Sequence, residues 1–229
     1  MDRRSFLTGT AAGVLMLASN RLAFGQEAEG TAPDLAQFPR NETVIVHNPE
    51  GVIRNPSWFN IWVNGGGGWS NGLHQLTMDT LWFIDPDAGI PEKSENAIYY
   101  SLAEGPWQYN DDFTEMTVKL REGIFWSDGV EFTADDVVFT VEKQAATPGT
   151  GWHGAFSTQV AEVTATDKYT VHFKLKAPNS RFHAVFSVRW NAAWIMPKHV
   201  FETVEDILSY DYNPPLSLGP YTLHSFDPN

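Results

Sequence analysis

Hydrophobic and polar residues alternate most clearly in the middle of the chain, between Met116 and Lys143. Met116, Val118 and Leu120 are separated by polar residues, which is the period of a strand with one buried face. Apolar residues then recur at helical spacing, at Ala134, Val137, Val138, Val141 and Ala145. Thr133 stands just before them and is a preferred N-cap residue. The pattern therefore predicts a strand, a turn region and a capped helix in succession.

Other segments show the same two periods. Alternation over 169–176, after the turn residues Asp167 and Lys168, predicts a hairpin whose first strand is 159–166. Helical spacing predicts helices over about 71–83 and over 181–188. The turn residues at 147–151 predict a loop with Trp152 and His153 at its tip. Because strands and helices both occur along the chain, the pattern by itself predicts an α/β fold of the mixed α+β kind.

The central segment contains three short motifs in a fixed order. These are L-R-E-G at 120–123, S-D-G at 127–129 and T-A-D-D-V at 133–137. Together they resemble the hallmark segment of family 5 extracellular solute-binding proteins, the oligopeptide, dipeptide, nickel and oligosaccharide receptors of ABC importers. The resemblance is nearly continuous from Val118 to Val141, and Pro197-Lys198-His199 also resembles a family segment. Each of these residues is equally explained as scaffold, because turns, caps and core stripes need the same residue types.

The resemblance implies a bilobal architecture. It predicts that residues 43–229 form the first lobe of a type II periplasmic-binding-protein fold with an inserted β-rich subdomain, and that the second lobe is absent. The segment 217–221 resembles the strand that returns the family's chain to the first lobe, and 43–47 its opening strand. We therefore expect one wall of a two-walled clamp, which would bind solute weakly or not at all alone because closure needs both walls.

Composition narrows the classes of partner. The net charge of −13 and the pI near 4.8 argue against binding to nucleic acid or to anionic membrane surfaces. The chain has no cysteine, which excludes disulfides, thiol catalysis and thiolate metal sites. Its seven histidines show no pair at helical spacing, so we expect no metal and no cofactor. Nine Trp and fifteen Phe supply rings that either fill a core or stack on a ligand.

The N-terminal residues carry an export signal. Arg3-Arg4 lies in a twin-arginine motif, and the apolar run 11–18 that follows is too short to span a bilayer. Small residues before Gln26 predict cleavage there, so 1–25 is the signal peptide and 26–42 a polar linker. We expect a periplasmic or secreted protein exported by the twin-arginine route.

A glycine-rich segment is the first candidate binding site. Glycines allow close approach of a backbone, and an indole offers a face on which a sugar ring or an apolar side chain stacks. In the resembled family the corresponding segment lines the ligand cleft. The predicted ligand-binding residues here are Gly66, Gly67, Gly68, Trp69 and Ser70. A loop without function is the alternative.

Two enzyme classes stay open beside the receptor. Residues 68–72 match the G-x-S-x-G nucleophile elbow, for which Asp167 with His183, or Asp211 with His224, would complete a triad. An elbow at the first strand–helix junction is unusual, because α/β-hydrolases bury their sheet with earlier strands. A glycoside hydrolase with two carboxylates across an aromatic cleft, and a secreted adhesion module, are further alternatives.

Trp190 and Trp194 are further candidate ligand-binding residues, and core packing explains them equally well. The sequence as a whole predicts a non-enzymatic, monomeric receptor subunit that captures an extended solute and delivers it to an ABC permease in the membrane. The solute is an oligosaccharide or an oligopeptide, and the aromatic content favours sugar.

Overall fold

The structure is a computed structural model that describes residues 57–63, 77–84, 98–187 and 192–225. All of them belong to one compact unit, Val46–Pro228. The signal peptide, the linker and the predicted strand at 43–47 lie outside the described residues, so the predicted domain boundaries stay predictions.

The described residues form two antiparallel sheets with short helices between their strands. The strands are β1 (Trp82–Ile84), β2 (Ile98–Tyr100), β3 (Gln108–Tyr109), β4 (Glu115–Lys119), β5 (Val160–Asp167) and β6 (Thr170–Leu175). The helices are α1 (Ala134–Ala146), α2 (His153–Gln159) and α3 (Lys198–Phe201), with 3-10 turns at Phe182–Phe186 and Ile207–Ser209. Strands β1 and β2 form one sheet, and the other has the order β3-β4-β6-β5. The predicted mixed α/β class is confirmed.

The main core lies between the larger sheet and α1. Val118 of β4 is paired with Val171 of β6, and both side chains are fully buried. Val137 and Val141 of α1 belong to the same buried cluster. Burial of such a side chain contributes about 1.5–3 kcal/mol. This packing stabilises α1 although its valines have a low helix propensity. The strand, the capped helix and the hairpin predicted from the sequence are therefore confirmed.

A second buried cluster contains residues from both ends of the described chain. Its members include Phe59, Trp62 and Met78 from the first part, and Trp194 and Phe201 from the last part. The 3-10 turn Phe182–Phe186 lies within the predicted helix over 181–188, and α3 begins directly after Pro197. No helix among the described residues is both long enough and apolar enough to span a bilayer.

Three local predictions are wrong. The predicted helix over 71–83 does not continue to its end, because only Thr77 of its described residues is helical and Trp82–Ile84 is β1. Tertiary pairing with β2 overrides a helical spacing that large buried residues also satisfy. Helix α2 follows directly where only a loop tip was expected, and 217–221 is not a strand. Instead, the hydroxyl of Ser217 donates to the carbonyl of Thr77 at 2.7 Å.

Candidate functional site

The structure describes one of the seven predicted ligand-binding residues, Trp194. The others lie outside the described residues and stay predictions: Gly66, Gly67, Gly68, Trp69, Ser70 and Trp190. The described part of the candidate site consists of the residues that precede the glycine segment and the residues that contact them.

The chain that enters the glycine segment is fixed against the loop before α2. Val63, the last described residue before that segment, forms a β-bridge with Thr150. Next to it, the N–H of Gly151 donates to the carbonyl of Trp62 at 2.7 Å. The partly exposed rings of Trp152 and His153 follow directly on the same loop. This loop is therefore a candidate part of the site that sequence reasoning missed, because only tertiary contacts link it to the residues just before the glycine segment.

The backbone of Trp194 contacts Trp62, which lies just before the glycine segment in the sequence. Its carbonyl accepts a hydrogen bond from the indole N–H of Trp62 at 3.2 Å. The side chain of Trp194 is 3% exposed and packs near Phe83, with ring centroids 6.3 Å apart. Within the described residues, Trp194 thus supports the segment that leads into the glycines, and its ring is part of the second core cluster.

A buried polar stripe on α1 holds the extended segment before α3. Asp136 accepts a hydrogen bond from the amide of Lys198 at 2.9 Å, and the Thr140 hydroxyl accepts one from the amide of Met196 at 3.1 Å. Four helical residues rise about 6 Å, close to the length of about 6.6 Å that two extended residues span. Side chains one helical turn apart therefore match alternate amides of the extended chain.

Gln144 continues this stripe and holds the loop before α2. Its side-chain oxygen accepts from the amide of Trp152 at 3.2 Å, and its backbone carbonyl lies 3.2 Å from Nδ1 of His153. Because a carbonyl only accepts, Nδ1 of His153 carries the proton in this contact. The side-chain nitrogen of Gln144 is buried without a hydrogen-bond partner among the described residues. A buried amide N–H normally has a hydrogen-bond partner. Gln144 is therefore a further candidate residue of the site.

Carboxylates surround the start of α3. Asp128 lies 2.9 Å from Nε2 of His199, and Asp135 lies 3.1 Å from the ammonium of Lys198. Burial raises the pKa of Asp136 and outweighs the opposing hydrogen bonds from the amides of Lys198 and Thr133. Burial also acts to raise the pKa of Asp128, but the amide of Val130 and the imidazole of His199 together lower it. Two of the motifs that carry the family resemblance, S-D-G and T-A-D-D-V, are thus both bonded to the Pro197-Lys198-His199 segment.

The esterase alternative receives no geometric support from its first pair. Asp167 accepts from the amide of Tyr169 at 2.8 Å, at the tip of the hairpin. His183 is stacked on Trp107 with centroids 3.8 Å apart, and its Nδ1 lies 3.3 Å from the hydroxyl of Tyr109. Burial lowers the pKa of His183. Within the described ranges its imidazole is therefore bonded to a phenol and not to a carboxylate.

The chain is similar to transport receptors over most of the described residues. Residues 97–229 match the family model described as bacterial extracellular solute-binding proteins, family 5 middle. This match covers more than half of the chain, and the chain belongs to family 5 of the extracellular solute-binding proteins. The family resemblance inferred from the sequence is confirmed, and the match gives the hydrolase alternative no support.

Individual relatives fall into two ligand groups by name. The oligopeptide-binding protein AppA of Bacillus subtilis is 32% identical over 108 residues, 45% of this chain and 19% of AppA. The periplasmic alpha-galactoside-binding protein of Rhizobium meliloti is 31% identical over 149 residues, 61% of this chain and 20% of that protein. The chain therefore spans about a fifth of the length of these curated relatives.

Solved structures agree on the fold. The mannohexaose-bound periplasmic oligopeptide-binding protein of Thermotoga maritima matches 66% of this chain and 26% of its own chain, with a TM-score of 0.56 and 27% identity. NikZ from Campylobacter jejuni, in complex with Ni(L-His), matches 67% of this chain and 28% of its own, with a TM-score of 0.54 and 25% identity. The type II periplasmic-binding-protein class predicted from the sequence is confirmed.

Proposed function

We propose that the chain is part of the solute-binding subunit of an ABC importer, and that it captures an oligopeptide or an oligosaccharide for a membrane permease. Family membership over residues 97–229 is the observation that carries this proposal. The named ligands of the relatives, an oligopeptide, an alpha-galactoside and mannohexaose, supply the two ligand classes. The function requires no chemistry of the protein's own.

The solute site comprises the glycine segment with Trp69 and Ser70, together with the loop at Thr150–His153. Two contacts support this grouping: the bridge between Val63 and Thr150 and the bond from Gly151 to Trp62. Trp69 and Trp152 would stack on a sugar ring or an apolar side chain. Gln144 of α1 holds the loop part of this site by accepting a hydrogen bond from the amide of Trp152. Trp190 and Trp194 complete the set, the latter by supporting Trp62.

Residues 1–25 serve as a twin-arginine signal peptide and 26–42 as a linker, so that the protein works in the periplasm or outside the cell as a monomer. The family's extracellular location supports this assignment. Replacing Arg3 and Arg4 by lysine should leave the precursor uncleaved in the cytoplasm. The mass of the exported protein should correspond to a chain that begins at Gln26, and export of the double variant would contradict the proposed route.

Native mass spectrometry of the protein purified from the periplasm tests the function. We expect a bound oligopeptide or oligosaccharide that is released on denaturation and is lost or reduced in Trp69→Ala. Phe113→Ala is the matched control, because Phe113 is 44% exposed on a different loop. Hydrolysis of nitrophenyl esters or glycosides that disappears in Ser70→Ala would overturn the receptor assignment in favour of a hydrolase.

A further inference from the structure

A groove of about 500 Å³ lies between α1 and the start of β5. Residues 141, 142, 145 and 146 border it on the helix side, and the four consecutive residues 160–163 border it on the strand side. Successive side chains of a strand point to opposite faces of the sheet. A groove that contacts four in a row therefore runs along the backbone edge of β5. We call it the α1–β5 groove.

Strand β5 is the edge strand of its sheet. Among the described residues it is paired only with β6, and the pairing is irregular between Val160 and Glu162. An edge strand exposes a row of unpaired backbone N–H and C=O groups. A helix beside such an edge leaves space for one added strand, which is one of the recurring ways in which proteins bind extended peptides.

The groove's chemistry defines its occupant. Val141 and Ala145 on the helix and Val160 on the strand give it an apolar floor of small volume. On its rim, Glu162 is paired with Lys174 at 2.7 Å, and the ammonium of Lys176 donates to the carbonyl of Ser157 at 2.7 Å. Glu142, by contrast, is exposed and forms no ion pair with the described residues. A small apolar side chain therefore fits the floor, and a basic side chain complements Glu142.

Charge argues against a second copy of this chain as the occupant. Two copies would each bring a net charge of −13, and an edge-to-edge pair would place two uncompensated Glu142 side chains near one interface. We infer that the α1–β5 groove binds an extended segment of a basic partner protein, which adds to β5 as a strand and places Lys or Arg beside Glu142. The α1–β5 groove is a different surface from the proposed solute site. Glu142 is two residues from Thr140 and Gln144, about 200° around the helix from the stripe that faces that site.

The test uses the whole chain and a blocked probe peptide, N-acetylated and C-amidated, of sequence Lys-Val-Thr-Val-Thr-Val. A second peptide carries N-methyl groups on alternate backbone nitrogens, so that it cannot form a strand ladder. Hydrogen exchange read by NMR should show protection of β5 amides by the first peptide and none by the second. The Ala146→Trp variant, which fills the groove from an exposed position, should weaken binding at least about tenfold.

Two further variants complete the design. Ala165→Trp makes the same change at an exposed position of β5 outside the groove, and it should bind like the original chain. Glu142→Lys should weaken binding about fivefold at low salt, and the difference should shrink as salt is added. Binding that survives N-methylation or Ala146→Trp would overturn the inference. So would protection of amides elsewhere, no binding by the blocked peptide, or self-association that Ala146→Trp abolishes.

Discussion

The Thr140→Val substitution tests whether the polar stripe of α1 holds the segment before α3. Thr140 is fully buried, and its hydroxyl accepts the amide N–H of Met196 at 3.1 Å. Valine has nearly the same shape, so it should leave no cavity but should remove the acceptor. Met196 is 1% exposed, and its amide would lose its partner without gaining water. Leaving a buried donor unsatisfied costs about 1–3 kcal/mol, and we expect a loss of stability in that range.

Urea unfolding of the original chain and of Thr140→Val gives the difference in the free energy of unfolding. Hydrogen exchange of the Met196 amide reports the free energy of local opening at that amide. Thr158→Val is the matched control, because the Thr158 hydroxyl is exposed and donates to the carbonyl of Gly154 at 2.6 Å. That change should cost less than about 0.5 kcal/mol. Equal losses from both substitutions, or an unchanged exchange rate at Met196, would refute the role given to the stripe.

Three further predictions concern other parts of the fold. Because burial lowers the pKa of His183 from its ordinary value of 6.5, the stability contributed by the neutral ring is present above that value and lost as the pH falls through the lower folded pKa. Urea unfolding at about pH 7.5 and about pH 5 should show a smaller acid loss in His183→Phe, and an undiminished loss would contradict this. Gly129→Ala should lower stability by about 1 kcal/mol, because Gly129 has a φ of +88°. Gly105→Ala is the control. A Cβ at Gly105 meets nothing within 4 Å, so thermal melts should show no loss of stability for that variant. A double-mutant cycle on Asp128 and His199 should give a coupling of about 0.2–1 kcal/mol, and the absence of any coupling would argue against a stabilising contact between them.

The hallmark motifs serve as scaffold, and the structure gives the physical reason. Asp128, Asp135 and Asp136 all bond to Lys198 or His199 at the start of α3. Local rules assign these acids to a turn and to a helix N-terminus, and both assignments are correct. The contacts across more than 60 residues of sequence add a second role that spacing alone does not reveal.

Sequence by itself determined those elements whose signals are local. The alternation at 116–120, the Thr133 cap and the turn at Asp167 each specify a strand, a helix start or a hairpin from neighbouring residues, and the structure has them there. The motif order also determined the family.

Tertiary structure decided what depends on distant partners. Trp82–Ile84 is a strand because β2 pairs with it, although its apolar spacing suits a helix equally well. The bridge from Val63 to Thr150 joins the residues before the glycine segment to the loop before α2, and no periodicity along the chain encodes that contact. Contacts of this kind follow from which surfaces can be buried together, and that is settled only when the whole chain packs.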